Sequence, residues 1–456
     1  MESNQKYAFE SIPISERDMN YWDMFATWFG ANANNGTWFI GGVIAAAGFF
    51  GGISSAVIAS VIASVIAFAF LSMVGYMGYQ TGASTTILSR APFGIRGSVV
   101  PSVINLTLFM GWTAVNTFIA ATSLAYLFHS MFGWALFGQP GGYFGIIVGI
   151  IIMSILHLLS IIAGPKSVQI IERIGVVLVI IFVIIEVIVV FRDVSFSQIA
   201  KYQVPMKSKM PFGVALDTIA AAALGWVVGG ADFTRFTSSK RIATQAPYVG
   251  AILGMVSFVI IGLCTTLSVA VTSGVFNPNN SDPSTVANKL GLGLIAMVVI
   301  VLTSMTANAV NIQSGGSALN NLIPKISLNK SLFIVTILSM ILTLVPLING
   351  SFLDAFTAFL NYTGMFLGPI IAILVVDYFG LSDGKYDLKA LATPTGKYWY
   401  KGGINWFAMA CIAIGVVLYI GLNLLPIVKA TVGATFISMI VVAIVYYVGS
   451  KLMRKA

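Results

Sequence analysis

Charge is what this sequence has least of. Only 9% of its 456 residues are Asp, Glu, Lys or Arg, against roughly 25% in a soluble domain. So few charges cannot clothe a water-exposed surface, and a soluble globular enzyme is excluded. Cysteine and histidine are nearly missing, with two of each. Cys264 and Cys411 both sit within apolar runs, which points to neither a disulfide framework nor a metal site. No G-x-x-x-x-G-K-[ST] loop is present to cradle ATP phosphates, and no His/Glu metalloprotease signature occurs. The longest polar loop, 380–402, is too short for a separate soluble domain. The first 20 residues are polar, so no cleavable signal peptide is expected.

What is present is apolar sequence. The chain is 58% hydrophobic, with a mean hydropathy of +0.94. Its long apolar runs exclude a β-barrel, whose strands are short and alternating, and predict an all-α membrane protein with the lipid bilayer as its partner. The rule of about 20 residues per crossing predicts twelve transmembrane spans. They fall at 22–48, 53–78, 98–129, 143–164, 170–191, 212–233, 247–274, 287–316, 331–349, 352–379, 403–426 and 429–450. An even count puts both termini on one side. With the termini in the cytoplasm, 18 of the 24 Lys and Arg residues fall in inner segments and six in outer ones. Cytoplasmic loops attract positive charge, so this orientation is favoured. The same loops account for the formal net charge of +9 without invoking a nucleic acid.

Two of these spans are interrupted. The first contains Trp28-Phe29-Gly30-Ala31-Asn32-Ala33-Asn34-Asn35-Gly36, and the sixth contains Leu224-Gly225-Trp226-Val227-Val228-Gly229-Gly230-Ala231-Asp232. Amides and glycines in hydrocarbon are costly unless they find partners. Paired interrupted helices in corresponding places point to the binding site of a transporter built from inverted repeats. Spans 1–5 and 6–10 form two groups of five, each opening on a broken span. An odd number per group starts the second copy from the opposite side. The expected organisation is a tail at 1–21, repeats at 22–191 and 212–379, a connecting loop at 192–211, a loop at 380–402, two accessory helices within 403–450 and a tail at 451–456.

The candidate residues cluster on a few spans. A broken helix exposes N–H groups that attract acceptors and carbonyls that attract cations. Asn32 and Asn35 add amides that donate and accept, which suits a flat, neutral, hydrogen-bonding solute. They could equally cap a kink or bond a neighbouring helix. Trp112 and Asn116, four apart in span 3, share a helix face. An indole beside an amide could stack on a ring and bond its edge, or Trp112 could be a packing residue. Trp226 is a second candidate plate. In span 8, Thr303, Ser304 and Thr306 offer hard oxygens. With the carbonyls of the first break they could hold Na⁺, or their hydroxyls could bond back to their own helix. Asp217 is an intramembrane carboxylate near the outer end of its span. Glu186 is a candidate for proton coupling. Asp232 is expected to pair with Arg235 or a loop base, and His157 to be a satisfied core residue.

At these residues the chain resembles the nucleobase:cation symporter-1 family, in its purine and cytosine permease branch. The resemblance runs over nearly the whole chain. It includes Trp28-Phe29-x-Ala31-Asn32-x-Asn34, Leu88-Ser89-Arg90-Ala91-Pro92-Phe93-Gly94 and Gly111-Trp112. Gly225-Trp226 with Asp232-Phe233-Thr234-Arg235, and Ser314-Gly315-Gly316, also fit. Later matches are Asp377-Tyr378-Phe379, Gly384-Lys385-Tyr386-Asp387 and Gly402-Gly403-Ile404-Asn405-Trp406. The resemblance implies a leucine-transporter-like five-plus-five inverted repeat with two extra helices, at the plasma membrane. It implies uptake of a nucleobase or related ring driven by Na⁺ or H⁺, with no cofactor. It implies Trp112 as a ring-stacking residue, Asn116 as an edge partner, and Ala223 at the second stacking position, with Trp226 one turn later. Asn32, Asn35, Asn308 and backbone at Gly225 complete the expected substrate site. Carbonyls at Gly30, Ala31 and Ala33 with Thr303, Ser304 and Thr306 form the expected cation site.

Overall fold

The structure is a computed structural model that describes residues 11–49, 53–162, 165–278, 281–323, 325–394 and 396–455. Residues 1–10 of the expected tail lie outside the described residues. Helices α1 (Tyr21–Asn32) and α2 (Asn35–Ile44) share the first predicted span. They are followed by α3 (Ser54–Thr81), α4 (Val99–Phe132), α5 (Tyr143–Ile162) and α6 (Pro165–Asp193). The sixth span is shared by α7 (Phe212–Val227) and α8 (Gly230–Thr234), and α9 (Lys240–Ser273) is the seventh. A short α10 (Pro283–Lys289) precedes α11 (Gly293–Leu322). Then come α12 (Leu328–Leu342), α13 (Val345–Asn349), α14 (Phe352–Val376), α15 (Trp406–Leu422) and α16 (Thr435–Lys455). Among the described residues, nine helical segments are long and apolar enough to cross a membrane, and α15 is shorter. The first predicted span is absent from that set because it is split into pieces of 12 and 10 residues.

Several boundaries move from their expected places. Span 8 begins at Gly293 rather than 287, because Gly291 and Gly293 adopt φ of +69° and +74° and turn the chain between α10 and α11. Span 7 begins at Lys240, where the Ser239 side chain caps the helix, and Pro247 lies inside it. Span 9 is interrupted between α12 and α13. Span 11 begins at Trp406 behind the Asn405 cap. Span 12 begins at Thr435, because 426–430 is a separate short helix and Gly433 turns the chain at φ +69°.

The helices pack by size rather than by hydrophobicity. In α3, Ala56, Ala59, Ala63 and Ala67 are buried while Val61, Ile62, Val65 and Ile66 are exposed. Lipid is as apolar as these side chains, so small residues take the interior, where backbones approach, and large aliphatics face outward. Glycines do the same in α9, where a Cβ at Gly250 or Gly254 would meet the carbonyl oxygens of Phe25 and Phe29 at 2.6 and 2.5 Å.

The contacts repeat under exchange of the two groups of five. The broken pair α1 and α2 lies on α9, and the broken pair α7 and α8 lies on α3. Helices α4 and α11 are counterparts and pack on each other extensively. The contact of α5 with α11 mirrors that of α12 with α4, and α6 with α9 mirrors α14 with α3. The two broken spans run in opposite directions. Met19, entering the first, bridges Thr237, leaving the second, while Ala47 and Gly48 pair with Met210 and Pro211 at the other face. This is an inverted repeat, with α15 and α16 packed on α14.

Candidate functional site at the helix breaks

At the first break the chain leaves the helix at Ala33 (ψ 70°) and is extended at Asn34 (φ −140°, ψ 169°) before α2 begins. A helix end at membrane depth leaves N–H and C=O groups that water cannot satisfy. The asparagines answer this locally. Asn34 Oδ1 accepts from the Thr37 amide at 3.0 Å, and Asn34 Nδ2 donates to the Ala31 carbonyl at 2.7 Å. One side chain thus serves both broken ends. Asn32 Nδ2 donates to the Trp28 carbonyl at 3.0 Å, and Asn32 Cβ would lie 3.1 Å from a Cβ on Gly254 of α9. Asn32 Oδ1 is buried and has no hydrogen-bond partner among the described residues. Asn35 reaches across to α11, where its Nδ2 meets the Ile300 carbonyl, Thr303 Oγ1 and Ser304 Oγ at 3.2, 2.8 and 3.1 Å.

The span 8 hydroxyls are partly turned inward on their own helix. Thr303 donates to the Ile300 carbonyl at 3.0 Å and Thr306 to the Thr303 carbonyl at 2.7 Å. Of the expected carbonyl contributors, Ala31 accepts from Asn34; beside them, the Phe29 carbonyl accepts the Ala33 amide at 2.8 Å. Gly30 lies in the last turn of α1.

Trp112 stands between the two breaks. It is buried, and a Cβ on Gly36 would come 2.9 Å from its Cζ3, while one on Gly225 would come 3.5 Å from its Nε1. Phe356 and Phe359 of α14 meet its ring edge-on, with centroids 6.0 and 5.4 Å away. These two phenylalanines were missed by the sequence reading. Their signal was present as Phe352, Phe356 and Phe359 on one helical stripe. One turn beyond Trp112, Asn116 is buried with Oδ1 unpartnered among the described residues. Asn308 joins α11 to α4 and α5. Its Nδ2 lies 3.1 Å from the Thr113 carbonyl, 3.0 Å from Thr117 Oγ1 and 3.1 Å from His157 Nε2. Its Oδ1 has no partner among the described residues. His157 is therefore held in a core network, as expected.

The second break is gentler. Val228 and Gly229 stay near helical torsions (ψ −13° and 0°), and no side chain of the break caps α8. The Ala231 amide instead donates to Thr85 Oγ1 at 3.2 Å, from the segment after α3. The Asp232 carboxylate faces Thr85 and the Arg235 guanidinium. Ala223 is fully buried within α7 and presents no ring. Trp226 sets its ring at 90° to Trp28, centroids 6.3 Å apart, and Phe233 also meets Trp28.

Two carboxylates have different settings. Asp217 accepts the Ala434 and Thr435 amides at 2.7 and 2.8 Å and so caps the start of α16. It thereby fastens the start of α16 to α7. Glu186 is fully buried in α6, and neither oxygen has a partner among the described residues. Farther along, Asp377 gathers the Tyr386 and Tyr446 hydroxyls at 2.7 and 2.9 Å, which ties α14, the following loop and α16 together.

The chain is similar to known proteins in fold and in sequence. The structure of Mhp1, a nucleobase-cation-symport-1 family transporter in a closed conformation with bromovinylhydantoin bound, superposes with a TM-score of 0.77 at 19% identity, over 98% of this chain and 95% of that one. The allantoin permease of Bacillus subtilis (strain 168) is 23% identical over 98% of this chain and 93% of its own length. The purine-uracil permease NCS1 of Arabidopsis thaliana is 24% identical over 88% of this chain and 69% of its own length. The pattern of one family, described as permease for cytosine/purines, uracil, thiamine and allantoin, matches residues 11–450, and the chain belongs to that family.

Proposed function

We propose that this chain is a secondary active transporter that imports a small planar ring with N–H edges, of the nucleobase class, by cation symport and alternating access. The observation that carries the reading is the setting of Trp112. A buried indole is wedged between Gly36 and Gly225, and one turn away stands an amide oxygen without a partner among the described residues. Trp112 stacks on the ring, and Asn116 accepts a ring N–H. Asn32, Asn35 and Asn308, with backbone near Gly225, complete the polar edge, and Ala223 and Trp226 belong to the wall on the α7 side. Phe356 and Phe359 cover Trp112 on the α14 side. The unpartnered oxygens favour a ligand that donates, since each buried acceptor left unpaired is costly.

The driving ion is Na⁺ or H⁺. The sodium reading rests on Gly30, Ala31 and Ala33 with Thr303, Ser304 and Thr306. The proton reading rests on Glu186. The excess of basic residues in one set of loops supports a plasma-membrane orientation with both termini in the cytoplasm. The accessory helices α15 and α16 pack on α14, with α16 tied to α7 through Asp217 and to the end of α14 through Asp377, and they take no part in binding.

The test is uptake of labelled cytosine, uracil, hypoxanthine, allantoin and hydantoin into proteoliposomes, with an imposed ion gradient or none. Accumulation above equilibrium of at least one ring is expected. Trp112→Ala should lower its uptake about tenfold or more while expression holds, since a base–aromatic stack is worth about 1–3 kcal/mol. Equilibration indifferent to every gradient would make the chain a passive facilitator instead.

A further inference from the structure

The oxygen cluster on α11 is already occupied, and by the protein itself. Ile300 O, Thr303 Oγ1 and Ser304 Oγ converge within 3.2 Å of one atom, Asn35 Nδ2. An amide nitrogen has two hydrogens, so three acceptors compete for two donors. Three convergent hard oxygens are the arrangement that a small cation would take. The direction of the amide follows from the partners. A carbonyl such as Ile300 O only accepts, so the nitrogen and not Oδ1 must face it.

We propose that the Asn35 amide stands in for a driving sodium ion, so that this chain works without sodium at its α11 oxygen cluster. The proposal rests on the transport reading above and narrows it. An ion bound by the three oxygens would need the position that Nδ2 holds. The surroundings add to the exclusion. Asn35 is the first residue of the ten-residue α2, whose N-terminal end carries partial positive charge and repels a cation. At the facing end of α1, part of the carbonyl set is engaged. Its Trp28, Phe29 and Ala31 carbonyls already accept from Asn32, the Ala33 amide and Asn34. The same amide therefore pins the first break to α11 permanently, where a bound ion would do so only when present.

The melting temperature of the purified protein, measured in sodium chloride and in choline chloride at equal ionic strength, tests this without relying on transport. Ligands that bind only the folded state raise it in a saturable way. The wild type is expected to melt identically in both salts. Asn35→Ala opens the cluster and should gain a saturable sodium-dependent rise, which Thr303→Val in the same background removes. A saturable rise in the wild type would overturn the proposal, as would a folded Asn35→Ala protein that ignores sodium. If the variants do not fold, the wild-type arm decides alone. Proteoliposome uptake separates the two readings. Loss of all ring uptake counts against the transport reading, while the salt response still reports on Asn35.

Discussion

The two broken spans solve one problem in different ways. In the first, the chain becomes fully extended for a residue, and its own side chains repair the damage. Asn34 serves both ends, Asn32 takes a carbonyl, and Asn35 reaches α11. In the second, the backbone stays near helical torsions and borrows its partner, Thr85, from the segment after α3. The first break is thus repaired mainly by its own side chains, one of which anchors it to α11, and the second depends on a hydroxyl from a neighbouring segment.

Substitutions can break or sharpen this contrast. The largest effect is expected for Gly36→Ala. Its Cβ would lie 2.9 Å from Trp112 Cζ3 and 3.2 Å from Asn34 Oδ1, in conflict with both the plate and the cap. Uptake should be nearly lost in a protein that still reaches the membrane. Wild-type uptake would show that the first break tolerates what its geometry forbids. Asn34→Ala comes next. It removes a helix cap, which costs about 0.5–2 kcal/mol, and also a bond to a carbonyl. Its melting temperature in detergent should fall clearly. Thr85→Val removes the hydroxyl that accepts from the Ala231 amide and also bonds the Asp232 carboxylate, a loss of about 1 kcal/mol or somewhat more. The drop should not exceed that of Asn34→Ala, and a larger one would undo the contrast. The smallest effect belongs to Gly229→Ala. Its φ of −101° suits any L-residue, and only Trp226 O comes within 3.7 Å of the new Cβ. Melting should match the wild type or rise slightly.

Much of the architecture could be read from the sequence because hydrocarbon leaves few options. Apolar runs of crossing length must be helices, and amides set into them must mark an interruption. Residues 28–36 and 224–232 announced both breaks on this basis. The count of spans was less secure. The first span is divided, α15 is short, and glycine turns at 291, 293 and 433 cut helices out of what read as continuous runs. Glycine reads the same whether it packs or turns, so these boundaries were not visible. The candidate site divided along similar lines. Trp112 and Asn116 share a face by spacing alone. The neighbours Phe356 and Phe359 come from a span some 240 residues later, and no local pattern joins them to Trp112.

The asparagines show where the division lies. That Asn32, Asn34 and Asn35 called for partners was determined by the sequence, because an unpaired amide in lipid is costly. The identity of each partner was decided only by the tertiary structure. Three similar side chains within four positions ended on α1 itself, on both sides of the break and on α11, because a non-helical pair of torsions at 33 and 34 points successive residues in unrelated directions. Likewise, the composition made this chain a membrane protein. The packing of α11 against α4 and α2 decided that an amide, placed by a break in another helix, meets the oxygens that a cation would take.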